Sequence, residues 1–170
     1  MDTIIDTASY IIKKYREITG ENLDKMKLHK LLYFTQREAF AITGQPAFEG
    51  ILEGWKYGPV SPEVNKIYNR KKFSVKTKDI SDKLKYIINN VILEYGSLAS
   101  WKLSEISHKE TSWLNSRQGL KNTENGSNPL KLSDIREDAK KIRPYDHVWD
   151  MYYDEFEDYD DQEKKSWLVK

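Results

Sequence analysis

The stretch Glu53-Gly-Trp-Lys-Tyr-Gly-Pro-Val-Ser-Pro-Glu-Val64 breaks the texture of the sequence on both sides of it. Aromatic and β-branched residues are punctuated by Gly54, Gly58 and Pro59, a pattern that predicts a short extended segment folded back by a turn. Ser61 followed by Pro62 starts a helix: the hydroxyl can cap, and proline stands where no amide donor is needed. The neighbouring sequence carries apolar residues at helical spacing. The class is therefore mainly α, of the α+β kind. It is a compact helical domain with a small two- or three-stranded β element around residues 48–60 and 72–77.

Upstream, Ile4, Ile5, Ala8, Ile11, Ile12, Tyr15 and Ile18 lie on one helical stripe that Gly20 stops. A second helix runs from Asp24 to Thr43 with Leu28, Leu31, Leu32, Thr35, Ala39 and Ile42 on one face, and Gly44 and Pro46 end it. Downstream, Lys71 to Lys78 reads as a short strand that can pair with Leu52 to Lys56. Ser81 caps a helix with Leu84, Ile87, Ile88, Val91, Ile92 and Tyr95 inward, closed by Gly96. Shorter helices fall at Ser100 to Ser107 and Thr111 to Gln118. Asn122 to Pro129 is the clearest loop. Ser133 is the expected cap of a helix reaching Arg143. Pro144 marks a boundary between residues 1–143 and an acidic-aromatic segment, 144–170, read as helical.

The 170 residues include no cysteine, which excludes a disulfide framework and thiolate chemistry. No apolar run approaches the roughly 20 residues of a membrane span, and the N-terminus lacks a signal-peptide pattern, so a cytoplasmic protein with no membrane partner is expected. The net charge of +1 conceals a division: nine acidic residues and no Lys or Arg lie between Pro144 and Glu163, leaving +10 on the rest. An acidic end on a basic body suits a self-contacting tail or a partner whose charge matches one half.

Signals for catalysis are weak. There is neither a P-loop nor a G-x-G-x-x-G. His108 and Glu110 are the nearest approach to a metal-ligand pair and lack further ligands, so no metal, cofactor or catalytic residue is assigned. His29 reads as a flank residue rather than a general base. Lys66, Arg70, Lys71, Lys72, Lys76 and Lys78, interleaved with Tyr68 and Phe73, form a basic stretch that could neutralise phosphates or simply rim short elements. Trp149, Tyr152, Tyr153 and Phe156 recur at three and four residues among carboxylates. They form either a stripe docked on the chain's own domain or a partner-binding element.

Lys27-Leu-His-Lys-Leu-Leu-Tyr-Phe34, Glu53 to Val64, and Leu103-Ser-Glu-Ile-Ser-His-Lys-Glu110 with Trp113 together resemble the Panacea-domain family. That family includes SocA-like antitoxins and phage-associated proteins of the GepA type. The likeness covers residues 3 to 143. It implies a bacterial or prophage antitoxin that is not an enzyme and silences a cognate protein toxin, expected to be basic, by direct contact. Alternatives are an adaptor that presents a toxin to a protease, or a nucleic-acid-binding regulator. Lys27, Leu28, Lys30, Leu31, Tyr33, Gly54, Gly58, Val60, His108, Glu110 and Trp113 match the family's motifs and are assigned structural roles. Candidate partner contacts are Trp55, Tyr57, Pro59, Trp149, Tyr152, Tyr153 and Phe156. Trp55 and its neighbours equally suit a turn that seals the core.

Overall fold

A computed structural model describes residues 1–70 and 78–142. The elements among these residues are α1 (Ile4–Thr19), α2 (Lys25–Thr43), β1 (Glu53–Trp55), β2 (Gly58–Val60), α3 (Pro62–Asn69), α4 (Asp82–Tyr95), α5 (Ser100–Ser107), α6 (Thr111–Ser116) and α7 (Leu132–Ala139). The mainly helical class with a small β element is what the sequence predicts. The acidic-aromatic segment and the expected strand at 72–77 lie outside the described residues.

Helix α2 is the centre of the molecule. Asp24 caps it by accepting from the Lys27 amide, and Gly44 ends it in the left-handed conformation that glycine tolerates. α1, α4, α5, α7 and β2 all pack against it. Every residue from Lys27 to Phe40 is consequently buried. The expected stripe of Leu28, Leu31, Leu32 and Ala39 is present, yet the opposite, polar side of the helix is covered as well.

Most of those polar groups find partners, as burial requires, the exceptions among the described residues including His29 Nε2 and Arg37 Nε. The Lys27 ammonium donates to the Gly96 carbonyl at 2.9 Å, and Gln36 accepts from the Ala47 amide at 2.6 Å. Arg37 donates to Glu110 at 3.0 Å and to the Tyr95 hydroxyl at 2.6 Å. Its guanidinium also lies over the Phe34 ring, which stacks on Tyr95 at 4.3 Å. The apolar core around this axis includes Ile11, Leu32, Ile88, Leu103 and Ile135.

β1 and β2 form an antiparallel hairpin, with Glu53 opposite Val60 and Trp55 opposite Gly58. The free edge of β1 is taken by the end of the 122–129 loop: Gly54 donates to the Asn128 carbonyl, and Leu130 donates to that of Leu52. Both sides of β1 are thus occupied; the expected partner strand, Lys71 to Lys78, lies outside the described residues except for Lys78. Leu130, held extended beside β1, passes directly into α7. That helix starts at Leu132 without a side-chain cap, so Ser133 lies in its first turn rather than capping it, and the helix stops at Ala139. Ser61 and Ser81 do cap, each accepting from the amide three residues on.

Candidate partner-binding face

The hairpin is fixed from behind at several points. The Trp113 indole donates to the Trp55 carbonyl at 2.8 Å, and Arg117 donates to that of Gly54 at 3.3 Å. The Ser104 hydroxyl donates to the Tyr57 carbonyl at 2.9 Å. Trp113 itself stacks on His108, with centroids 4.1 Å apart. Two glycines allow this closeness. A Cβ on Gly54 would collide with the Ser116 side chain. One on Gly58, whose φ is +120°, would lie 2.5 Å from Lys30 Cε and 2.7 Å from Ser107 Oγ.

This framework divides the motif residues. Val60 and Pro59 are buried and Trp55 is half-buried, its indole donating to Glu53 at 2.9 Å. Tyr57, at the tip of the hairpin, is 56% exposed. Of the contact candidates that the sequence suggests, Tyr57 therefore faces solvent, Trp55 does so in part, and Pro59 does not. Trp149, Tyr152, Tyr153 and Phe156 lie outside the described residues. Two further exposed apolar side chains, one of them beside Tyr57 in the cavity lining described below, were missed in the sequence. Met26 opens α2 and meets the same Ser104 hydroxyl through its sulfur; Trp101, one turn before Ser104 on α5, is 68% exposed. Neither belongs to a periodic stripe, so only exposure marks them.

Under the hairpin lies a cavity of about 220 Å³. α2 supplies Met26, His29 and Lys30 to its lining, and the hairpin supplies Trp55, Tyr57 and Val60. Lys25 and Lys56 line it too; among the described residues no Asp or Glu does. His29 is buried, not a flank residue as its sequence neighbours suggested. Burial first, then the charges of Lys30 and Lys25, push its pKa down to about 3, so the ring is neutral. Burial also pushes Lys30 down to about 8, against a smaller opposing effect from Asp24. His108 is held below the usual histidine range, chiefly by burial and then by Lys30.

A separate polar cluster locks α2 to α6 and α7. The Tyr33 hydroxyl lies 2.8 Å from Glu110 and 2.9 Å from Asp138. Asp138 in turn accepts from the amides of Thr111 and Ser112, at 2.7 and 3.0 Å. Burial foremost, followed by the two carboxylates, raises the Tyr33 pKa well above its ordinary value, so the phenol stays a donor. Every group in the cluster is used internally. Among the described residues no cluster of His, Asp or Glu is arranged to hold a metal ion, and no helix is long and apolar enough to cross a membrane. Of the basic stretch, Lys66, Arg70 and Lys78 are exposed, while Lys71, Lys72 and Lys76 are outside the described residues.

Residues 28–114, half of the chain, match the family described as antitoxin SocA-like, Panacea domain, and the chain belongs to that family. The matched region contains the hairpin, α3 to α5 and the whole of α2 from Leu28 onward. Among characterised relatives, the chain is 29% identical over 103 residues to Antitoxin SocA of Caulobacter vibrioides. The similarity takes in 51% of this chain and 55% of that relative, so little more than half the relative's length is represented. No solved structure matches.

Proposed function

We propose that this protein is an antitoxin that neutralises a cognate toxin by direct protein contact, and that the contact is centred on the hairpin tip. Membership of an antitoxin family supports the class of function. The observation that carries the location is the exposure of Tyr57 on a rigidly backed turn with Met26 beside it, and of Trp101 one turn before Ser104 on α5. Large apolar groups held in place lose little conformational freedom when covered, which is the property of residues that dominate binding energy. Tyr57 is anchored through its own backbone, so its ring is free to serve a partner. The acidic-aromatic segment with Trp149, Tyr152, Tyr153 and Phe156 is proposed as a second contact, suited by charge to a basic region of the toxin.

The test is co-expression with the products of adjacent genes. One of them should arrest growth alone and become harmless with this protein. The double variant Tyr57→Ala/Trp101→Ala should weaken the complex by ~100-fold, on the scale of two interface anchors. Its melting temperature should not fall, because both side chains lie outside the core. A toxin neutralised equally well by the double variant would place the interface elsewhere.

A further inference from the structure

Two buried donors on residues that line the cavity beneath the hairpin have nothing adequate to donate to among the described residues. The Ser61 amide donates to His29 Nδ1 at 3.2 Å. Since the ring is neutral, its proton must then sit on Nε2. That Nε2–H is buried and has no acceptor among the described residues. Next to it in the chain, the Lys30 ammonium is only 1% exposed, and its hydrogen bond to the Pro59 carbonyl is long, at 3.5 Å. No carboxylate forms an ion pair with Lys30 among the described residues. Asp24 is occupied with the Lys27 amide and the Ser100 hydroxyl.

A buried cation without a counter-ion is costly, and proteins otherwise replace it with an apolar residue or pair it. Here, additional cations line the same space. Lys25 and Lys56 add positive charge, while Met26, Trp55, Tyr57 and Val60 supply apolar walls. What the described residues leave wanting is one anionic acceptor of modest size, attached to something apolar. A carboxylate has two oxygens, which matches one directed N–H and one ammonium. A phosphate calls for more donors, typically arginine forks or a nest of amides, and among the described residues the lining includes no arginine.

We propose that the cavity is a receptor for an Asp or Glu side chain of the protein partner, inserted beneath Tyr57 and bonded by Lys30 Nζ and His29 Nε2. An apolar neighbour of that residue would rest against Met26 and Tyr57. The proposal deepens the antitoxin reading and rests on it only for the identity of the partner. In this arrangement Lys30 is a residue whose burial disfavours the free protein and rewards the bound one.

The first experiment needs no toxin. The full chain, with ¹⁵N-labelled histidine and tryptophan, is titrated with N-acetyl-Leu-Asp-amide at constant ionic strength. The uncharged isostere N-acetyl-Leu-Asn-amide and sodium phosphate serve as comparisons. The expected result is a saturable shift of the His29 Nε2 and Trp55 indole signals with the Asp peptide alone, abolished by Lys30→Met. Equal shifts with the Asn peptide, or no shift with any probe, would overturn the proposal. Saturation by phosphate with the same signals would assign the cavity to a free anion instead. If the wild-type chain stays silent while a chain carrying D154N, E155Q, E157Q and D158N responds, the chain's own acidic segment is the occupant, and the partner proposal fails. The second experiment is neutralisation of the toxin by Lys30→Met, expected to be at least tenfold poorer. A toxin neutralised normally by that variant overturns the inference while leaving the antitoxin reading intact.

Discussion

Replacing His29 with Gln should flatten the acid side of the protein's stability profile. In the folded chain His29 has a pKa of about 3, against an ordinary 6.5. A depressed pKa means the folded state refuses a proton that the unfolded state accepts. The associated stability is fully present above pH 6.5 and is lost as pH falls from there toward about 3. Each pH unit in that window costs ~1.4 kcal/mol, so lowering the pH from about 7 to about 5 removes ~2 kcal/mol. That is a large part of a typical ~5–15 kcal/mol total. The Gln variant cannot titrate, and its amide oxygen can replace Nδ1 as acceptor for the Ser61 amide. Its absolute stability is immaterial; the difference between the two pH profiles is what counts, because effects of the carboxylates common to both proteins cancel. Urea unfolding followed by tryptophan fluorescence at several pH values measures it. The wild type should lose ~2 kcal/mol more than the variant over that interval. Parallel profiles would show that His29 titrates normally in the folded protein, and the fixed Nε2 donor would go with it.

Lys30→Met should raise stability at neutral pH by ~1–3 kcal/mol in urea unfolding, because a buried ammonium without a close counter-ion is removed at similar volume. Since the folded pKa of Lys30 is depressed to about 8, the wild type's deficit should shrink as pH rises from there toward 10.5. Arg37→Leu should cost ~3–5 kcal/mol by the same measurement, since it strands the Glu110 carboxylate in a site where that side chain is 13% exposed. Gly58→Ala should lower the denaturation midpoint by an amount equivalent to ~2–3 kcal/mol, combining the cost of φ at +120° with displacement of Lys30 and Ser107.

Where local chemistry decides the structure, the sequence predicts it well. Ser61 with Pro62, Ser81, Gly20 and Gly44 set helix ends through bonds no more than four residues long, and the hairpin turn follows from Gly58. Periodicity likewise identifies the inward residues of α4. It fails on α2, where it finds the leucine stripe but cannot see that Lys27, His29, Lys30, Gln36, Arg37 and Glu38 are also covered. The groups that cover them come from other segments, such as Glu110 for Arg37, separated by 73 residues. Polar residues on a helix look like a solvent face until those segments are placed. The same limit hides the strand-like pairing of Asn128 to Leu130, whose composition signals only a loop. Trp55 and Tyr57 stand out in the sequence because of their motif. That the backbone of Trp55 serves the fold while the Tyr57 ring faces outward depends on Trp113 and Ser104, which only the tertiary structure brings beneath them.

The enclosure of α2 sets a hierarchy of motion in the chain. A helix with neighbours on every side cannot release its amides by fraying or by the departure of one partner. Hydrogen exchange from Leu28 to Ala39 should therefore proceed only through global unfolding, while the amides of Lys56 and Tyr57 at the hairpin tip should exchange through small local openings. A protein that covers this tip would protect the fast amides selectively and leave the slow ones limited by the same global event. Exchange mapping could thus locate a partner's footprint without a structure of the complex.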